Sequence, residues 1–328
     1  MSHYRSSYRT PRPNPTGWIT LLIIVIAACA LCWPLTSGVF NSISNVVKGI
    51  GSGINNVVQG PQPTLTIAVS PEKGDLFKQL VNTFNSKIVK ASTGETLVVN
   101  IVQLDPESML DAAIAGNFQA MSPDSSIWLD QLDRDYEATT QSATGLVGQS
   151  VRYAVSPVVI AMWRDKAQAL GWPGTPIGWS DILKIATSDP NFKWSHPSTA
   201  SASGLLATLA EFYAGANKTR GLTADDVQSP NVLQYVTALE KTVRYYGEGE
   251  YAIAQRVVQN GRSYLDAFVA SEQMLIWANQ HGTDLVAVYP SEGSLWQDHP
   301  LALLEADKLT DLNRETFRAF AAYATSAD

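Results

Sequence analysis

The sequence has few cysteines and a deficit of positive charge, and each shortage disfavours a class of function. Only two cysteines occur in 328 residues, Cys29 and Cys32, and both lie in an apolar N-terminal stretch. The rest of the chain therefore has no thiol for a disulfide framework, a zinc–thiolate cluster or a nucleophile. The 23 Lys and Arg residues are scattered and are outnumbered by 30 Asp and Glu residues. We expect no nucleic-acid partner, because binding a phosphate backbone requires a basic face.

Histidines are also rare, and they are not arranged as metal ligands. The four histidines are isolated and form neither an H-E-x-x-H motif nor a paired spacing: His3, His196, His281 and His299. A zinc hydrolase would need such a ligand set, so the sequence predicts no metal and no cofactor. We interpret His196, which precedes Pro197, as a structural hydrogen-bonding residue.

One short motif keeps an enzyme hypothesis open. Ser70 and Lys73 fit the S-x-x-K pattern of penicillin-binding enzymes, in which a lysine one helical turn away helps to deprotonate the serine. The partner motifs S-x-N and K-T-G do not occur in suitable places, and Pro71 and Gly74 indicate a loop. We therefore predict that the protein is not an enzyme, with a serine hydrolase that uses Ser70 and Lys73 as a remote alternative.

A long uncharged stretch lies near the N-terminus. Residues 13–47 carry no charged side chain, and residues 18–33 (WITLLIIVIAACALCW) are almost wholly apolar. A membrane-spanning helix needs about 20 such residues, because only a continuous helix satisfies its own backbone amides in hydrocarbon. We predict a single-pass membrane anchor over residues 17–40. Arginines within residues 1–16 make that segment a cytoplasmic tail by the positive-inside rule, which places the main domain outside the cell membrane.

Two other routes of export fit the same segment. Small residues precede Cys29 as they do in a lipoprotein signal, so a lipid anchor at Cys29 is one alternative, and a cleaved signal peptide is another. The retained anchor is preferred because apolar residues continue past Cys29. Residues 41–63 are rich in Gly, Asn and Ser and are predicted to form a linker.

The sequence after the linker alternates between strand and helix patterns. Residues 64–70 (TLTIAVS) form a β-branched apolar run, and residues 75–89 place apolar side chains at helical spacing. Further strands are predicted at 97–104 and 118–121, and further helices at 106–115 and 127–132. This alternation predicts an α/β fold with parallel-type sheets. Residues 153–163 form an apolar segment longer than an ordinary strand, which is typical of a segment that crosses between lobes.

The second half of the chain is predicted to be mostly helical and then to return to strands. Predicted helices cover residues 180–187, 204–213, 230–246 and 250–259. Predicted strands follow at 274–278 and 285–289, with an edge strand at 301–305. Thr310 is predicted to cap a final helix that runs to about Thr325.

Four segments carry a resemblance to a known family. They read SPVVIAMWRDKAQALG from residue 156, IGWSDILKIA from 177, HPSTASASGLLATLAEFYAG from 196 and YPSEGSLWQDHPLALL from 289. Together they resemble the bacterial extracellular solute-binding proteins with a type II periplasmic-binding fold, over about residues 64–328. The resemblance is greatest to a branch that is often followed by a von Willebrand factor A domain, and no such domain is expected within this sequence.

The resemblance implies two α/β lobes that are joined by crossing strands and bind a solute in the cleft between them. Lobe 1 is placed at residues 64–156 plus 284–328, and lobe 2 at residues 157–283. The expected partners are a small polar solute, the membrane through the N-terminal helix, and an ABC permease or a von Willebrand factor A domain protein.

Hydroxyl-rich loops are the candidate binding residues, because ligands of such sheets bind beyond the carboxyl ends of the strands. Ser and Thr at these positions also suit helix capping, which needs no ligand. Hydroxyls and free N–H groups at helix N-termini bind polar solutes and anions. The candidates follow predicted strands, precede predicted helices or lie on the crossing segment: Ser70, Ser125, Ser126, Ser156, Ser198, Thr199, Ser201 and Tyr289.

These observations predict a membrane-tethered extracellular protein that captures a small polar ligand between two lobes for transport or sensing. An oxyanion is slightly favoured as the ligand, although Lys73 is the only positive charge in the four loops. The alternative is a ligand-sensing or protein-interaction ectodomain without a role in transport.

Overall fold

The computed structural model describes residues 62–326, which contain ten strands and eleven α-helices. The predicted tail, the predicted anchor and almost all of the predicted linker lie outside the described residues. Within residues 62–326, no helix combines the length and apolarity that crossing a membrane requires.

The strands and helices are numbered in chain order. The strands are β1 (Leu65–Val69), β2 (Val99–Gln103), β3 (Ala120–Ser122), β4 (Val147–Arg152), β5 (Ser156–Trp163), β6 (Trp194–Ser195), β7 (Ala267–Ser271), β8 (Leu285–Val288), β9 (Trp296–Gln297) and β10 (Pro300–Leu304). The helices are α1 (Gly74–Ser86), α2 (Pro106–Ile114), α3 (Ile127–Thr140), α4 (Arg164–Ala169), α5 (Trp179–Ser188), α6 (Ala202–Gly215), α7 (Ala224–Gln228), α8 (Pro230–Glu240), α9 (Glu250–Asn260), α10 (Glu272–Gln280) and α11 (Asp311–Ala324).

The first lobe is built on a five-stranded sheet in the order β2-β1-β3-β10-β4. Strand β1 pairs in parallel with β2 and β3, whereas β10 runs antiparallel to both β3 and β4. One face of the sheet packs against α1 and α11 through a core that includes Phe84 and Phe320. The other face packs against α2 and α3 through Met109 and Leu129. The sheet is therefore mixed and is covered by helices on both faces.

The second lobe is built on a four-stranded sheet in the order β6-β7-β5-β8. Strand β5 is antiparallel to β7 and to β8, and only β6 and β7 are parallel. One face packs against α5, α6 and α8 around the buried pair Trp179 and Trp194. The other face packs against α9 and α10 through Val257 and Met274. Two mixed sheets thus replace the parallel-type sheets that the sequence predicts, because β10 in the first sheet and β5 in the second run antiparallel to their neighbours.

The chain crosses between the sheets twice, and the two crossings lie side by side. It leaves the first sheet after β4 and enters the second at β5, and it returns through β9 before β10. Ser156 and Pro157 of β5 pair antiparallel with Gln297 and Trp296 of β9. A continuous segment from β4 into β5 agrees with the crossing role predicted for residues 153–163.

Three sequence-based assignments differ from the structure. Residues 274–278, predicted as a strand, lie in α10, where Ser271 caps the helix by accepting the N–H of Met274 and where Met274, Leu275 and Ala278 form one buried face. Residues 301–305, predicted as an edge strand, lie in β10 between β3 and β4. Residues 285–288, placed in lobe 1, form β8 and pair with β5 of the second sheet.

Other assignments are confirmed. The predicted first strand at residues 64–70 corresponds to β1, and the predicted final helix corresponds to α11. The hydroxyl of Thr310 accepts the N–H of Asn313 at 3.1 Å, and the Asn313 side chain accepts the N–H of Thr310 at 2.8 Å. This reciprocal capping satisfies N–H groups that the first turn of a helix leaves unpaired.

Candidate functional site

Polar ends of elements from both sheets meet between the two lobes. The first lobe contributes the turn that follows β1 and the residues that follow β3, including Lys73 and Asp124. The second lobe contributes the N-termini of α6 and α9, with Ser203 and Glu250. We refer to the set formed by Ser70, Glu72, Lys73, Asp124, Ser156, Ser203, Glu250, Gln297 and His299 as the polar centre.

A buried ion pair forms the first-lobe side of the polar centre. Lys73 is fully buried, and its Nζ lies 3.3 Å from Oδ1 of Asp124. The same Nζ donates hydrogen bonds to Ser122 Oγ at 3.1 Å and to the Pro123 carbonyl at 2.9 Å. The Tyr153 ring lies beside it, with the ring centroid 5.6 Å from Nζ. The ammonium group is therefore held on several sides by the first lobe itself.

The ion pair shifts the pKa values of both partners in the direction opposite to the effect of burial. Burial raises the pKa of a carboxyl group, but the Lys73 ammonium and His299 hold the pKa of Asp124 below its usual 3.8. Burial lowers the pKa of an amine, but Tyr153 and Asp124 raise the pKa of Lys73 above 10.5. Both groups are therefore charged at neutral pH.

Two further carboxyl groups meet across the boundary between the lobes. Burial, followed by the charges of Asp124 and Glu250, raises the pKa of Glu72 well above 4.5. Burial also raises the pKa of Glu250, although Ser203 lies beside it and Ser271 donates hydrogen bonds to it. Ser271 makes two of these contacts, through its N–H and its hydroxyl, each at 2.6 Å from Glu250 Oε1. The second lobe thus adds a carboxyl group to a region that already holds two.

Several buried polar atoms of the polar centre have no hydrogen-bond partner. A buried polar group that lacks a partner costs about 1–3 kcal/mol, so folded proteins contain few of them. The atoms concerned belong to the first lobe and to the crossing strands, and among them Asp124 Oδ1 has the ion pair with Lys73 but no hydrogen bond: Ser70 Oγ, Glu72 Oε2, Asp124 Oδ1, Ser156 Oγ, Gln297 Nε2 and His299 Nδ1. Their concentration here makes the polar centre the candidate binding site of this fold.

His299 is held in an unusual backbone conformation at this point. Its φ is +36°, a left-handed value that residues other than glycine rarely adopt. Its N–H donates to the Asp124 carbonyl at 3.1 Å, and its Nδ1 lies 3.7 Å from Asp124 Oδ1. Strain of this kind persists where the surrounding structure requires it and is concentrated at functional sites.

An open groove connects the polar centre with solvent. Its volume is about 440 Å³, and both lobes line it. Glu72, Ser156 and His299 lie at its base, while α1 and α10 supply Leu76 and Trp277 on its walls. Gln273 of α10 bridges the lobes by donating from Nε2 to the Glu72 carbonyl at 2.9 Å. The groove therefore offers a solute a route between the lobes.

Comparison with known proteins agrees with this architecture. Residues 65–328 match the family described as bacterial extracellular solute-binding protein. The chain belongs to this family. No curated protein sequence matches this solute-binding protein.

Solved structures of binding proteins share the fold of this solute-binding protein at low sequence identity. The sulfate-binding protein SubI from Mycobacterium tuberculosis is 17% identical, with a TM-score of 0.54 over 80% of this chain and 82% of that chain. The periplasmic binding protein AfuA from Actinobacillus pleuropneumoniae, with fructose-6-phosphate bound, is 13% identical, with a TM-score of 0.54 over 80% and 81%. An ABC transporter substrate-binding protein from Bradyrhizobium japonicum is 13% identical, with a TM-score of 0.55 over 79% and 77%.

Three of the serines predicted to bind ligand are buried at or beside the polar centre of this solute-binding protein. Ser70 lies beside the Asp124 carboxyl group without a well-formed hydrogen bond, and Ser156 lies at the base of the groove. Ser125 is buried, and its hydroxyl accepts the N–H of Ile127 at 3.4 Å within its own turn.

The other predicted residues have contacts of their own. Ser201 caps α6, since its hydroxyl accepts the N–H of Gly204 at 3.2 Å and donates to the Ser198 carbonyl at 2.9 Å. The Ser198 hydroxyl accepts the N–H of Ala200 at 3.2 Å, and Thr199 is exposed. The N–H of Ser126 donates to Asp298 at 2.8 Å. Tyr289 is 53% exposed, and its hydroxyl contacts Glu272 at the rim of the groove.

Sequence reasoning did not single out five of the polar-centre residues as candidates for binding: Glu72, Asp124, Glu250, Gln297 and His299. Glu72 and Asp124 stand inside loops that the hydroxyl pattern singles out, so their acidity was a usable signal. Glu250, Gln297 and His299 reach the centre only through folding, and nothing in their local sequence marks them. Lys73 was considered as a partner of Ser70, but its Nζ bonds to Ser122 and Pro123 instead.

Proposed function

We propose that this protein captures a small polar solute at the polar centre between its lobes and passes it to an ABC permease. The observation that carries the proposal is the group of buried polar atoms without a hydrogen-bond partner that lie in the first lobe and on the crossing strands, facing Glu250 of the second lobe. A solute with several polar groups pairs these atoms, and its binding energy then favours the arrangement in which the lobes enclose it.

The charges of the polar centre favour a solute that donates hydrogen bonds, such as an amine or a polyol, over an oxyanion. Among the described residues Lys73 is the one lysine or arginine that is buried, and Asp124 neutralises it. Glu72 and Glu250 then make the centre acidic. An anion would meet carboxyl groups without a free buried cation, whereas an amine or hydroxyl donates to Glu72 Oε2 and Asp124 Oδ1.

The ligands of the structural relatives support the fold and do not decide the solute. SubI is described as binding sulfate, and AfuA carries fructose-6-phosphate, so anionic ligands occur on this fold. At 17% and 13% identity these structures support a shared fold and do not carry their ligands over to this chain. The acidic polar centre of this chain is therefore the better guide to its solute.

The location of the protein belongs to the same proposal. We propose that the domain acts outside the cytoplasm, where members of an extracellular solute-binding family work, and that residues 17–40 or a lipid on Cys29 tether it. Mass spectrometry of the mature protein separates these forms, because a lipoprotein begins at Cys29 and carries the mass of its acyl chains.

The solute class is tested by thermal unfolding of the purified full chain in the presence of amines, amino acids, polyols, sugars and oxyanions. A ligand at 100 times its dissociation constant stabilises the folded state by about 2.7 kcal/mol, which gives a measurable shift. Glu72→Gln and Ser70→Ala are expected to abolish the shift. Glu107→Gln and Ser108→Ala, on exposed positions of α2, are the matched controls.

Each outcome has a definite meaning. A shift with amines or polyols that Glu72→Gln removes supports the proposal. A shift with oxyanions alone keeps the binding function and overturns the solute class. An absence of any shift across the panel favours a protein-interaction or sensing ectodomain.

A further inference from the structure

A second polar cluster lies inside the second lobe and is separate from the polar centre. It comprises His196, which follows β6, Glu211 on α6 and Glu240 at the end of α8, and we refer to it as the His196 cluster. One potential ligand atom from each side chain lies within 4.8 Å of the other two. His196 is 4% exposed and Glu211 is fully buried, while Glu240 is partly exposed.

The hydrogen bonds of His196 leave one ring nitrogen facing a carboxylate. Nδ1 lies 2.8 Å from the Pro197 carbonyl, and Nε2 lies 3.2 Å from Oε2 of Glu240. Both partners are acceptors, but a neutral imidazole has only one N–H. If Nδ1 donates to the carbonyl, the Nε2 lone pair faces Glu240. A backbone carbonyl on the second nitrogen is also the arrangement that orients metal-binding histidines.

The burial of Glu211 is a second observation, independent of the hydrogen bonds of His196. Neither of its carboxyl oxygens makes a hydrogen bond of ordinary geometry, although the Glu240 carboxyl group lies close by, and both oxygens belong to a fully buried side chain. A carboxyl group in this position is costly unless a proton or a cation compensates it. Glu240, the nearest acidic group, also accepts a hydrogen bond from the Tyr246 hydroxyl at 3.0 Å, which fixes its orientation.

We propose that His196, Glu211 and Glu240 bind a divalent transition-metal cation, with Zn²⁺ as the best match. One imidazole and two carboxylates are a ligand set that zinc accepts, at bond lengths of about 2.0–2.2 Å. A tetrahedral site of these bonds places its ligand atoms about 3.4 Å apart. The His196–Glu240 separation of 3.2 Å already agrees with this value. The two negative charges neutralise the cation.

The residues around the His196 cluster bear on how a cation reaches it and on what a bound cation would stabilise. A groove of about 520 Å³ at the surface is lined by Phe212, Tyr246 and one member of the cluster, Glu240, which gives a cation access to the Glu240 carboxylate. His196 stands two residues before Ser198, at the start of the loop that leads to Ser203 in the polar centre. A cation would therefore join α6, α8 and this loop, and would stabilise the second-lobe side of the polar centre.

The test uses the full chain after removal of metals by a chelator. Zn²⁺ binding is measured by competition with a chromophoric chelator, and Co²⁺ is added as a spectroscopic probe of tetrahedral coordination. The variants are Glu211→Gln, Glu240→Gln and His196→Gln. His281→Gln, which removes a histidine outside the cluster, is the control for adventitious binding, and circular dichroism checks the folding of every variant.

We expect one tightly bound Zn²⁺ per chain and intense Co²⁺ bands, with affinity lowered by at least about 10–100-fold in the three cluster variants and unchanged in His281→Gln. Glu240→Gln keeps the test decisive if Glu211→Gln does not fold, because Glu240 is partly exposed. Stoichiometric binding that survives both glutamate substitutions would overturn the proposal. A wild-type chain that folds and binds no Zn²⁺ would overturn it too, and would leave Glu211 as a protonated buried acid.

Discussion

Removing the Lys73 ammonium should destabilise the first lobe far more than removing a surface lysine. Lys73→Met keeps an unbranched side chain that is one atom shorter, and leaves Asp124 as a buried charge without its partner. At an effective dielectric constant of about 20, two unit charges 3.3 Å apart attract by about 5 kcal/mol. Breaking a buried pair by removing one partner costs about 3–5 kcal/mol in practice. We expect a loss of that size in the free energy of unfolding.

Lys78→Met is the matched control for this prediction. Lys78 Nζ lies at the same 3.3 Å from Asp75, but both side chains are more than half exposed, at 58% and 65%. Surface pairs of this kind contribute about 0–1 kcal/mol, so the control should change little. Urea unfolding followed by circular dichroism measures both variants. A loss below about 1 kcal/mol in Lys73→Met would refute the reasoning, because the buried pair would then behave like the exposed one.

The pH dependence of the same variant provides a second check. In the wild type the depressed pKa of Asp124 gives stability that is present above 3.8 and lost as the pH falls through the folded value. The raised pKa of Lys73 gives stability that is present below 10.5 and lost as the pH rises through the folded value. Without Lys73, burial should raise the pKa of Asp124 above its unfolded value, so the deficit of Lys73→Met should shrink as the pH falls towards 4.

Three further predictions concern the groove, the α6 loop and the first-lobe core. Burial raises the pKa of Glu72, so the folded protein loses stability as the pH rises above 4.5 and this carboxyl group has to ionise. Glu72→Gln should therefore make the ligand-free chain more stable at pH 7 and reduce the pH dependence of its free energy of unfolding, while solute binding is lost. Gly204→Ala should weaken solute binding in calorimetry, because an added Cβ would collide with the carbonyl oxygens of Pro197 and Ser198 and displace the loop. Phe320→Ala, in a buried edge-to-face contact with Phe84, should cost about 3–5 kcal/mol in urea unfolding, and a cost below about 1 kcal/mol would contradict the packing argument.

Local sequence patterns predicted those strands and helices whose structure is determined by neighbouring residues in the sequence. The β-branched run of β1 and the Thr310 cap of α11 are local signals, and both are confirmed. The strand predicted at residues 274–278 was wrong, because a short apolar run fits either a strand or a buried helix. The helix cap at Ser271 decides between the two. The place of β10 inside the first sheet depends on pairing with β3 and β4, which a sequence period does not encode.

Hydroxyl-rich segments were predicted to bind the solute, and the structure places three of the predicted serines at or beside the polar centre. Each hydroxyl, however, has a limited number of hydrogen bonds to make. Ser201, before α6, is used as the helix cap, and Ser203, in the first turn of α6, lies beside Glu250. The acidic character of the centre arises because Glu72 and Glu250, 178 residues apart in sequence, meet only when the two lobes come together.

That meeting of acids from opposite lobes bears on how a solute would control the protein. Bringing Glu72 against Glu250 and Asp124 without a ligand costs free energy, since each carboxyl group must either remain charged near another charge or take up a proton. A solute that donates hydrogen bonds or carries positive charge removes this cost, whereas a solute that only accepts hydrogen bonds does not. Under the proposed function, selectivity therefore arises from the closed arrangement itself: a solute favours closure by as much as it stabilises the acids more in the closed form than in the open one.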